Sequence, residues 1–264
     1  MKQRIFTAVL ALAIFLPIVF IGKIPFTIVI YILASIGLYE LLKMKKISLI
    51  SIPGLISVFL LWVLLIPDSY ITLLDDINIS KAEFALLAVL LFLTYTVTTK
   101  NKFTFDDVGF VILSALYVGM GFYYFIEIRE LGLEYIFYAL FVIFATDSGA
   151  YFIGRAFGKR KLWPEISPNK TVEGFIGGIA CAIVVGALMQ AFTGIGDSFI
   201  KIVFMTILLS IFGQVGDLVE SALKRHYQVK DSGQLLPGHG GILDRFDSLL
   251  FVLPFLYFLL VLLN

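Results

Sequence analysis

Acidic residues occur near the C-terminal end of the sequence at spacings typical of a shared helix face. Asp217, Ser221 and Lys224 are separated by four and three positions, and Asp244 and Asp247 by three. Residues three or four apart lie on the same face of a helix, so each set is predicted to project from one side. Both sets adjoin long apolar segments, where an uncompensated carboxylate is costly. We therefore predict that Asp217, Asp244 and Asp247 converge at one centre.

Two kinds of compensation fit these three carboxylates. A structural ion-pair network would use the nearby basic residues Lys224, Arg225 and Arg245. A divalent cation would instead use the acids as oxygen ligands, and an oxygen-only site suits Mg²⁺, which also bridges substrate phosphates. The only cysteine is Cys181, so the chain cannot form a Cys-based zinc site by itself. The residues alone leave the ion-pair network and the magnesium site both open.

The segment SPNKTVEG, from Ser167 to Gly174, has the pattern of a helix start. Its hydroxyl and amide side chains are common N-caps, and Glu173 is placed to support the first turn. A helix N-terminus with hydroxyl groups and Lys170 also suits a bound phosphate. The pattern therefore predicts either an ordinary cap or a phosphate site that includes Ser167, Lys170 and Thr171.

Two further features lie before and after these motifs. Asp147 falls near the end of an apolar segment, where a carboxylate indicates either a functional site or a pair with a basic residue of a neighbouring helix. His239 lies in a turn with Gly240 and Gly241, and glycines allow the backbone to approach a ligand closely. The residues alone leave both interpretations of Asp147 open, and the glycines favour ligand binding by the turn at His239.

All of these residues must be positioned by membrane-spanning helices. The chain has 264 residues, 60% hydrophobic and 15% charged, and its mean hydropathy is +1.00. Such values are typical of integral membrane proteins. A helix needs about 20 mostly apolar residues to cross a bilayer. Nine segments meet this requirement and predict an all-α, polytopic membrane protein: residues 5–22, 24–42, 50–66, 82–99, 107–126, 134–153, 174–193, 199–219 and 244–263.

Lys and Arg residues predict the orientation of these spans, because such residues are retained on the cytoplasmic side. With nine spans, all but four of the 20 basic residues fall on the face of the N-terminus; the four are Lys23, Lys81, Arg129 and Lys201. We predict a cytoplasmic N-terminus, a C-terminus outside, and polar cytoplasmic loops at 155–173 and 220–243. Glycines four apart, at 154 and 158 and at 174 and 178, predict close helix packing beside the first loop.

The run from Ser221 to Asp247, SALKRHYQVKDSGQLLPGHGGILDRFD, resembles the signature of the phosphatidate cytidylyltransferase family, also called CDP-diacylglycerol synthase. The elements Asp147-Ser148-Gly149 and SPNKTVEG resemble that family in the same order. The resemblance is strongest over residues 140–255, and the N-terminal half is similar only as a set of hydrophobic spans. Gln228 stands where many relatives have glycine, which affects the local loop shape rather than the chemistry.

The resemblance implies an enzyme of phospholipid biosynthesis that converts CTP and phosphatidic acid to CDP-diacylglycerol and pyrophosphate. It implies Mg²⁺ with K⁺ as a second metal, and a homodimer in the bacterial inner, or plasma, membrane whose active site faces the cytoplasm. Residues 1–130 would form an N-terminal transmembrane bundle and residues 131–264 a catalytic transmembrane region. We expect membrane lipid but no nucleic acid as a further partner.

The resemblance also implies individual roles. Asp217, Asp244 and Asp247 match the metal-binding acids and, with Lys224, the catalytic residues. The residues expected around the nucleotide and lipid phosphates are Asp147, Ser167, Lys170, Thr171, Lys224, Arg225, His239, Gly240, Gly241 and Arg245.

The chemistry of this reaction agrees with the residue types. The nucleophile is a lipid phosphate oxygen that is already ionised at neutral pH, so a site rich in Asp and Lys and poor in His needs no strong base. Two alternatives remain at this point. A CTP-dependent lipid kinase would need a base for a hydroxyl nucleophile, and a cation-coupled transporter would predict inverted repeats with acids at the bilayer midplane.

Overall fold

The structure is a computed structural model that describes residues 2–70, 79–235, 238 and 240–263. Helices dominate the described residues: α1 (Lys2–Ile21), α2 (Lys23–Met44), α3 (Ile52–Leu64), α4 (Lys81–Thr98), α5 (Phe105–Leu131), α6 (Leu133–Phe157), α7 (Val172–Thr193), α8 (Phe199–His226) and α9 (Leu243–Leu263). A 3₁₀ turn covers Asp68–Tyr70. Two short antiparallel strands, β1 (Lys161–Trp163) and β2 (Ser167–Thr171), form a hairpin between α6 and α7.

The helices confirm the prediction of an all-α, polytopic membrane protein. Within the described residues, seven helices are long and apolar enough to cross a bilayer, namely α2 and α4–α9. The helix of the predicted span 50–66 is α3, which has 13 residues and is therefore only about 20 Å long, short of the ~30 Å hydrocarbon core. The count of nine spans and the orientation of the two ends stay predictions.

Local side-chain bonds fix where several helices begin. Ser80 and Glu83 form a reciprocal capping box at the start of α4. The Ser51 hydroxyl accepts a hydrogen bond from the Gly54 N–H at the start of α3. Thr171 does the same for α7, because its Oγ1 accepts from the Gly174 N–H at 3.1 Å. The predicted capping role of the SPNKTVEG segment is therefore confirmed at Thr171.

The chain divides into two compact units. The first contains Met1–Glu127 and Ser232–Ile242, and the second contains Ile128–Asp231 and Leu243–Asn264. The segment 232–242, which falls inside the predicted region 131–264, thus groups with the N-terminal helices. The predicted assignment of catalysis to residues 131–264 stays a prediction.

Aromatic side chains fill much of the core of the first unit. The rings of Phe26 and Phe125 meet edge to face with centroids 5.4 Å apart, and Phe15 lies 6.0 Å from Phe125. Phe26 and Phe125 are each about 1% exposed. Offset and edge-to-face pairs of this kind are favourable beyond the area that they bury, so they tie α1, α2 and α5 together.

The second unit is held by close helix packing and by hydrogen bonds between helices. A Cβ on Gly174 would lie 2.7 Å from the Ala150 oxygen, and one on Gly178 would lie 2.7 Å from the Thr146 oxygen. Only glycine therefore permits this contact of α6 with α7, as the glycine spacing predicts. Tyr138 shares a 2.7 Å hydrogen bond with Thr206, which joins α6 to α8.

Candidate active site

The acidic residues of the second unit are positioned by the packing of α8 against α9. At Gly216, a Cβ would lie only 2.7 Å from the backbone oxygen of Asp247. The two backbones can approach at this level because Gly216 has no side chain. Asp217 follows Gly216 directly, so this contact brings the carboxyl-terminal part of α8 beside the first turns of α9, as the sequence predicts.

The first charged pair of the site joins β2 to α8. The Lys170 Nζ lies 2.7 Å from Asp217 Oδ2, and the Ser221 hydroxyl donates to Asp217 Oδ1 at 3.3 Å. This second bond confirms that Asp217 and Ser221 share a helix face. The side chains of Lys170 and Asp217 keep 27% and 36% of their accessible surface, so the pair is only partly buried.

The second charged group is a buried triad around Lys224. Its Nζ donates to Glu220 Oε2 at 2.5 Å and to Asp244 Oδ1 at 2.6 Å. The two acidic side chains are only 2% and 5% exposed. The other oxygen of Glu220, Oε1, is buried and has no hydrogen-bond partner among the described residues. The triad therefore fixes Lys224 between α8 and α9 and leaves one acceptor unsatisfied.

Asp147 and Asp247 are not neutralised by a direct ion pair. Neither carboxylate has a basic nitrogen within ion-pair distance in the part of the chain that the structure describes. Among the described residues, the hydrogen bond to Asp247 Oδ1 comes from the adjacent Ser248 N–H, at 2.7 Å. Its charge nevertheless interacts with those of Asp217, Lys224 and Asp147, so the three helices α6, α8 and α9 bring their acids to one region.

The charges of this cluster do not balance. We define the acidic cluster as Asp147, Asp217, Glu220, Asp244 and Asp247 with Lys170 and Lys224. The carboxylates outnumber the ammonium groups five to two. Such an excess beside hydrophobic helices is costly unless some of the acids are protonated or a further cation is bound. The cluster is therefore suited to bind positive charge from solution.

The donor set fits a hard divalent cation. The acids of the cluster offer only carboxylate oxygens as ligands, and oxygen ligands suit Mg²⁺. The buried Glu220 Oε1 also has no hydrogen-bond partner among the described residues. Among the described residues, no three His, Cys, Asp or Glu side chains stand together as a preassembled metal site. Instead, Lys170 and Lys224 neutralise Asp217 and Asp244. The predicted metal role of Asp217, Asp244 and Asp247 stays a prediction.

Other predicted site residues lie in varied surroundings. Arg225 is exposed and its Nε donates to the backbone oxygen of Ile166 at 3.3 Å, and Arg245 is also exposed. Ser167 is half-buried at the start of β2. Gly240 and Gly241 belong to the first unit. His239 lies outside the described residues.

Two residues that shape the cluster, Glu220 and Gly216, were not predicted from the sequence. Glu220 is four positions before Lys224, a spacing typical of a helical ion pair, and this was the available signal. Gly216 gave a weaker signal, because a single glycine beside an acid does not indicate which helix approaches it. Both residues matter only once α9 packs against α8.

The amino-acid sequence is similar to those of known proteins over nearly its whole length. The model of the cytidylyltransferase family matches residues 2–263. The chain is 63% identical to a phosphatidate cytidylyltransferase from Bacillus subtilis, and the match covers 99% of this chain and 98% of that protein. It is 51% identical to a protein of the same name from Staphylococcus haemolyticus, over 99% of both chains. The corresponding protein of Staphylococcus aureus is 49% identical over 99% of both. The chain therefore belongs to the cytidylyltransferase family.

Proposed function

We propose that the acidic cluster is the centre at which this chain transfers CMP from CTP to phosphatidic acid. The reaction itself follows from the family and from relatives called phosphatidate cytidylyltransferases over nearly the whole chain. The protein is thus a membrane nucleotidyltransferase of phospholipid biosynthesis, and its products are CDP-diacylglycerol and pyrophosphate. The proposal concerns which residues carry out the transfer and how.

The bonds that change make a strong general base unnecessary. An oxygen of the phosphatidate phosphate forms a bond with the α-phosphorus of CTP, and the bond from that phosphorus to the α–β bridging oxygen breaks. The electron pair leaves with pyrophosphate. Because the attacking oxygen is already ionised, the main barrier is the mutual repulsion of two polyanions, which positioned positive charge lowers.

Lys170 and Lys224 supply part of that positive charge. Each ammonium group is held by carboxylates, at 2.7 Å from Asp217 and 2.6 Å from Asp244. We infer that they exchange these carboxylates for substrate phosphates when CTP and lipid bind. Arg225 and Arg245, which are exposed, would bind outer phosphate oxygens.

We also propose Mg²⁺ as the cofactor, with K⁺ as a second cation. Asp217, Asp244 and Asp247 would hold the divalent ion, which when bound supplies Lewis-acid stabilisation of the phosphates. The single observation that supports this is the charge excess of the cluster, since Asp147 and Asp247 have no ion-pair partner among the described residues. With all five acids ionised, the two lysines leave the cluster with a net charge of −3, which one Mg²⁺ and one K⁺ would balance.

Product analysis tests the reaction and separates it from the nearest alternative. Purified protein is incubated with phosphatidic acid and CTP labelled at the α-phosphate. We expect label in the lipid and release of pyrophosphate in the presence of Mg²⁺, with neither in excess EDTA. Formation of CDP with an unlabelled lipid product would instead indicate a lipid kinase. Glu83→Gln, at the cap of α4 in the first unit, is the control for substitutions of the cluster acids and should retain activity.

We propose that the acidic cluster faces the cytoplasm, where CTP is available. The distribution of Lys and Arg along the sequence supports this orientation. Single cysteines at positions 235 and 75, in a background without Cys181, are labelled in inside-out and right-side-out vesicles by a membrane-impermeant maleimide. We expect residue 235 to react only from the cytoplasmic side and residue 75 only from the other, and the opposite pattern would overturn the proposal.

We further propose that the enzyme functions as a homodimer, as the family resemblance implies. Native mass spectrometry from detergent at two protein concentrations provides the test. A dimer mass that persists on dilution is the expected result, and a monomer with full activity would contradict the proposal.

A further inference from the structure

Glu40 is a buried acidic residue that has no part in the acidic cluster. It lies in α2 of the first unit and is only 2% exposed. A carboxyl group inside a membrane-spanning helix is costly, and such residues are retained where they have a specific partner or function. The sequence around Glu40 indicated neither a partner nor a function for it, because the neighbouring residues are ordinary span residues.

The carboxyl group of Glu40 binds both ends of the segment 232–242. Its Oε2 accepts a hydrogen bond from the Ser232 hydroxyl at 2.9 Å. Its Oε1 accepts one from the Ile242 N–H, also at 2.9 Å. Ser232 and Ile242 are the first and last residues of this segment within the first unit. One side chain therefore closes the segment into a loop.

Glycines of the same segment are explained by this contact. At Gly233 and Gly241, a Cβ would overlap the Glu40 carboxyl group, so only glycine allows the loop ends to close on it. Gly238 and Gly240 are glycines for another reason, since their φ angles of 79° and 85° are left-handed. Gly233 and Gly241, which belong to the run from Ser221 to Asp247, thus fit around Glu40 of α2.

We propose that Glu40 is a positioning residue for substrate binding by the segment 232–242. The segment includes Gly240 and Gly241, which the family resemblance implies are near the substrate phosphates. Glu40 does not touch substrate in this proposal. It holds the two ends of the loop, at Ser232 and Ile242, at a fixed separation before substrate arrives. The inference rests on the established reaction but not on the proposed metal site.

Four variants in the full-length membrane enzyme test the proposal. Glu40→Ala removes both acceptors, Glu40→Gln retains one acceptor oxygen, and Ser232→Ala removes one donor. Leu38→Ala is the matched control, because Leu38 is a fully buried residue of the same helix. It creates a cavity without altering any hydrogen bond of the loop.

The expected result is a change in substrate KM that does not follow thermal stability. A hydrogen bond to a charged group is worth about tenfold to a hundredfold in an equilibrium, so Glu40→Ala should raise the KM for CTP or phosphatidate by at least about tenfold. Glu40→Gln and Ser232→Ala should give smaller increases. Leu38→Ala should lower Tm and leave both KM values unchanged. If Glu40→Ala keeps both KM values within twofold, or Leu38→Ala reproduces its effect, the proposal is wrong.

Two further measurements keep the proposal testable if Glu40→Ala does not accumulate. Labelling of Leu235→Cys, in a background without Cys181, should be about tenfold faster with Glu40→Gln than with Glu40 and unchanged by Leu38→Ala. Gly233→Ala should raise KM on its own but add nothing to Glu40→Gln, because the shared contact is already weakened. Unchanged labelling, or additive effects of Gly233→Ala and Glu40→Gln, would overturn the role of Glu40.

Discussion

The two units each contain a polar network among apolar helices, and the networks differ in how fully their groups are paired. In the first unit, Tyr123 donates to Asp68 at 2.7 Å, and the backbone N–H of Asp68 donates to Glu127 at 3.0 Å. The Lys81 ammonium group donates to the backbone oxygen of Ile66 at 2.6 Å and lies 3.8 Å above the Tyr123 ring. Asp68, Glu127, Lys81 and Tyr123 therefore each have a hydrogen-bond or ion-pair partner among the described residues.

The acidic cluster of the second unit is different. Asp147 and Asp247 have no ion pair within the described residues, and the buried Glu220 Oε1 has no hydrogen-bond partner there. A network that only stabilises the fold should be closed, because each unsatisfied buried group costs about 1–3 kcal/mol. An open network is instead stabilised by the ligand that completes it. The difference supports the proposal that the second network is functional, and we expect the first to be structural.

The largest expected effect comes from removing an acid of the open network. Asp247→Asn keeps the size of the side chain and its bond from the Ser248 N–H but removes one negative charge. We expect turnover to fall by about 10²–10³, with Tm unchanged or slightly raised because repulsion among the acids decreases. The measurement is pyrophosphate release under saturating substrates and Mg²⁺.

The matched variant in the closed network is Asp68→Asn. It weakens the bonds to Tyr123 and Lys81, so it should lower Tm and leave turnover per folded molecule unchanged. If Asp68→Asn reduced turnover as strongly as Asp247→Asn, the distinction between the two networks would fail.

The second largest effect should come from the helix contact that aligns the acids. Gly216→Ala places a methyl group 2.7 Å from the Asp247 backbone oxygen, so α9 must move. A misplacement of about 1 Å can cost on the order of a hundredfold in rate. We expect kcat to fall about tenfold to a hundredfold, measured beside Tm.

Gly109→Ala is the control for Gly216→Ala. Gly109 lies in α5, and nothing stands within 4 Å of a Cβ built there. This variant should be neutral or slightly stabilising, because alanine favours a helix by up to ~1 kcal/mol over glycine. Equal losses of activity in both glycine variants would mean that helix propensity, rather than the approach of α9, determines the effect.

The sequence predicted the helices well because long apolar runs leave few alternatives in a bilayer. It placed the end of the eighth segment near 219, whereas α8 continues to His226. The extra turns are polar, so hydropathy does not detect them, but Lys224 and Glu220 pair at a spacing of four and support the helix. The β1–β2 hairpin was not predicted either, since its two strands are short and carry no alternating pattern.

The site was predictable where spacing along one helix determines it. Asp217 and Ser221 share a face as expected, and α8 and α9 bring their acids together. The partners Lys170 of Asp217 and Lys224 of Asp244 could not be read from local spacing, because each pair joins different elements. Glu40 was the most distant case, since it binds Ser232 across 192 positions and Ile242 across 202.

A smaller effect is expected from Lys170→Ala. This variant tests whether loss of a partly exposed ion pair changes substrate binding without changing thermal stability. The pair of Lys170 with Asp217 is partly exposed, and such pairs contribute only about 0–1 kcal/mol to stability. We expect Tm to change little and the KM for CTP to rise about tenfold, since a phosphate loses one charged donor.

Lys224→Ala provides the contrast with Lys170→Ala. It leaves Glu220 and Asp244, which are 2% and 5% exposed, without their shared cation. Removing one partner of a buried ion pair costs about 3–5 kcal/mol, so this variant should lose thermal stability as well as activity.

An unchanged CTP dependence in Lys170→Ala would show that the SPNKTVEG segment serves only as a helix cap.

The smallest effect concerns the closed network alone. Tyr123→Phe keeps the ring beneath Lys81 but removes the hydroxyl that binds Asp68. The lost hydrogen bond costs about 1–3 kcal/mol, which corresponds to a Tm decrease of roughly 2–10 °C in a chain of this size. Tyr95→Phe is the control, because the Tyr95 hydroxyl has no hydrogen-bond partner among the described residues, although its ring lies 5.5 Å from that of Phe103. Both variants should keep the kcat and KM of the parent enzyme. A change in KM with Tyr123→Phe would mean that the closed network also serves the reaction, and pairing would then no longer distinguish the two units.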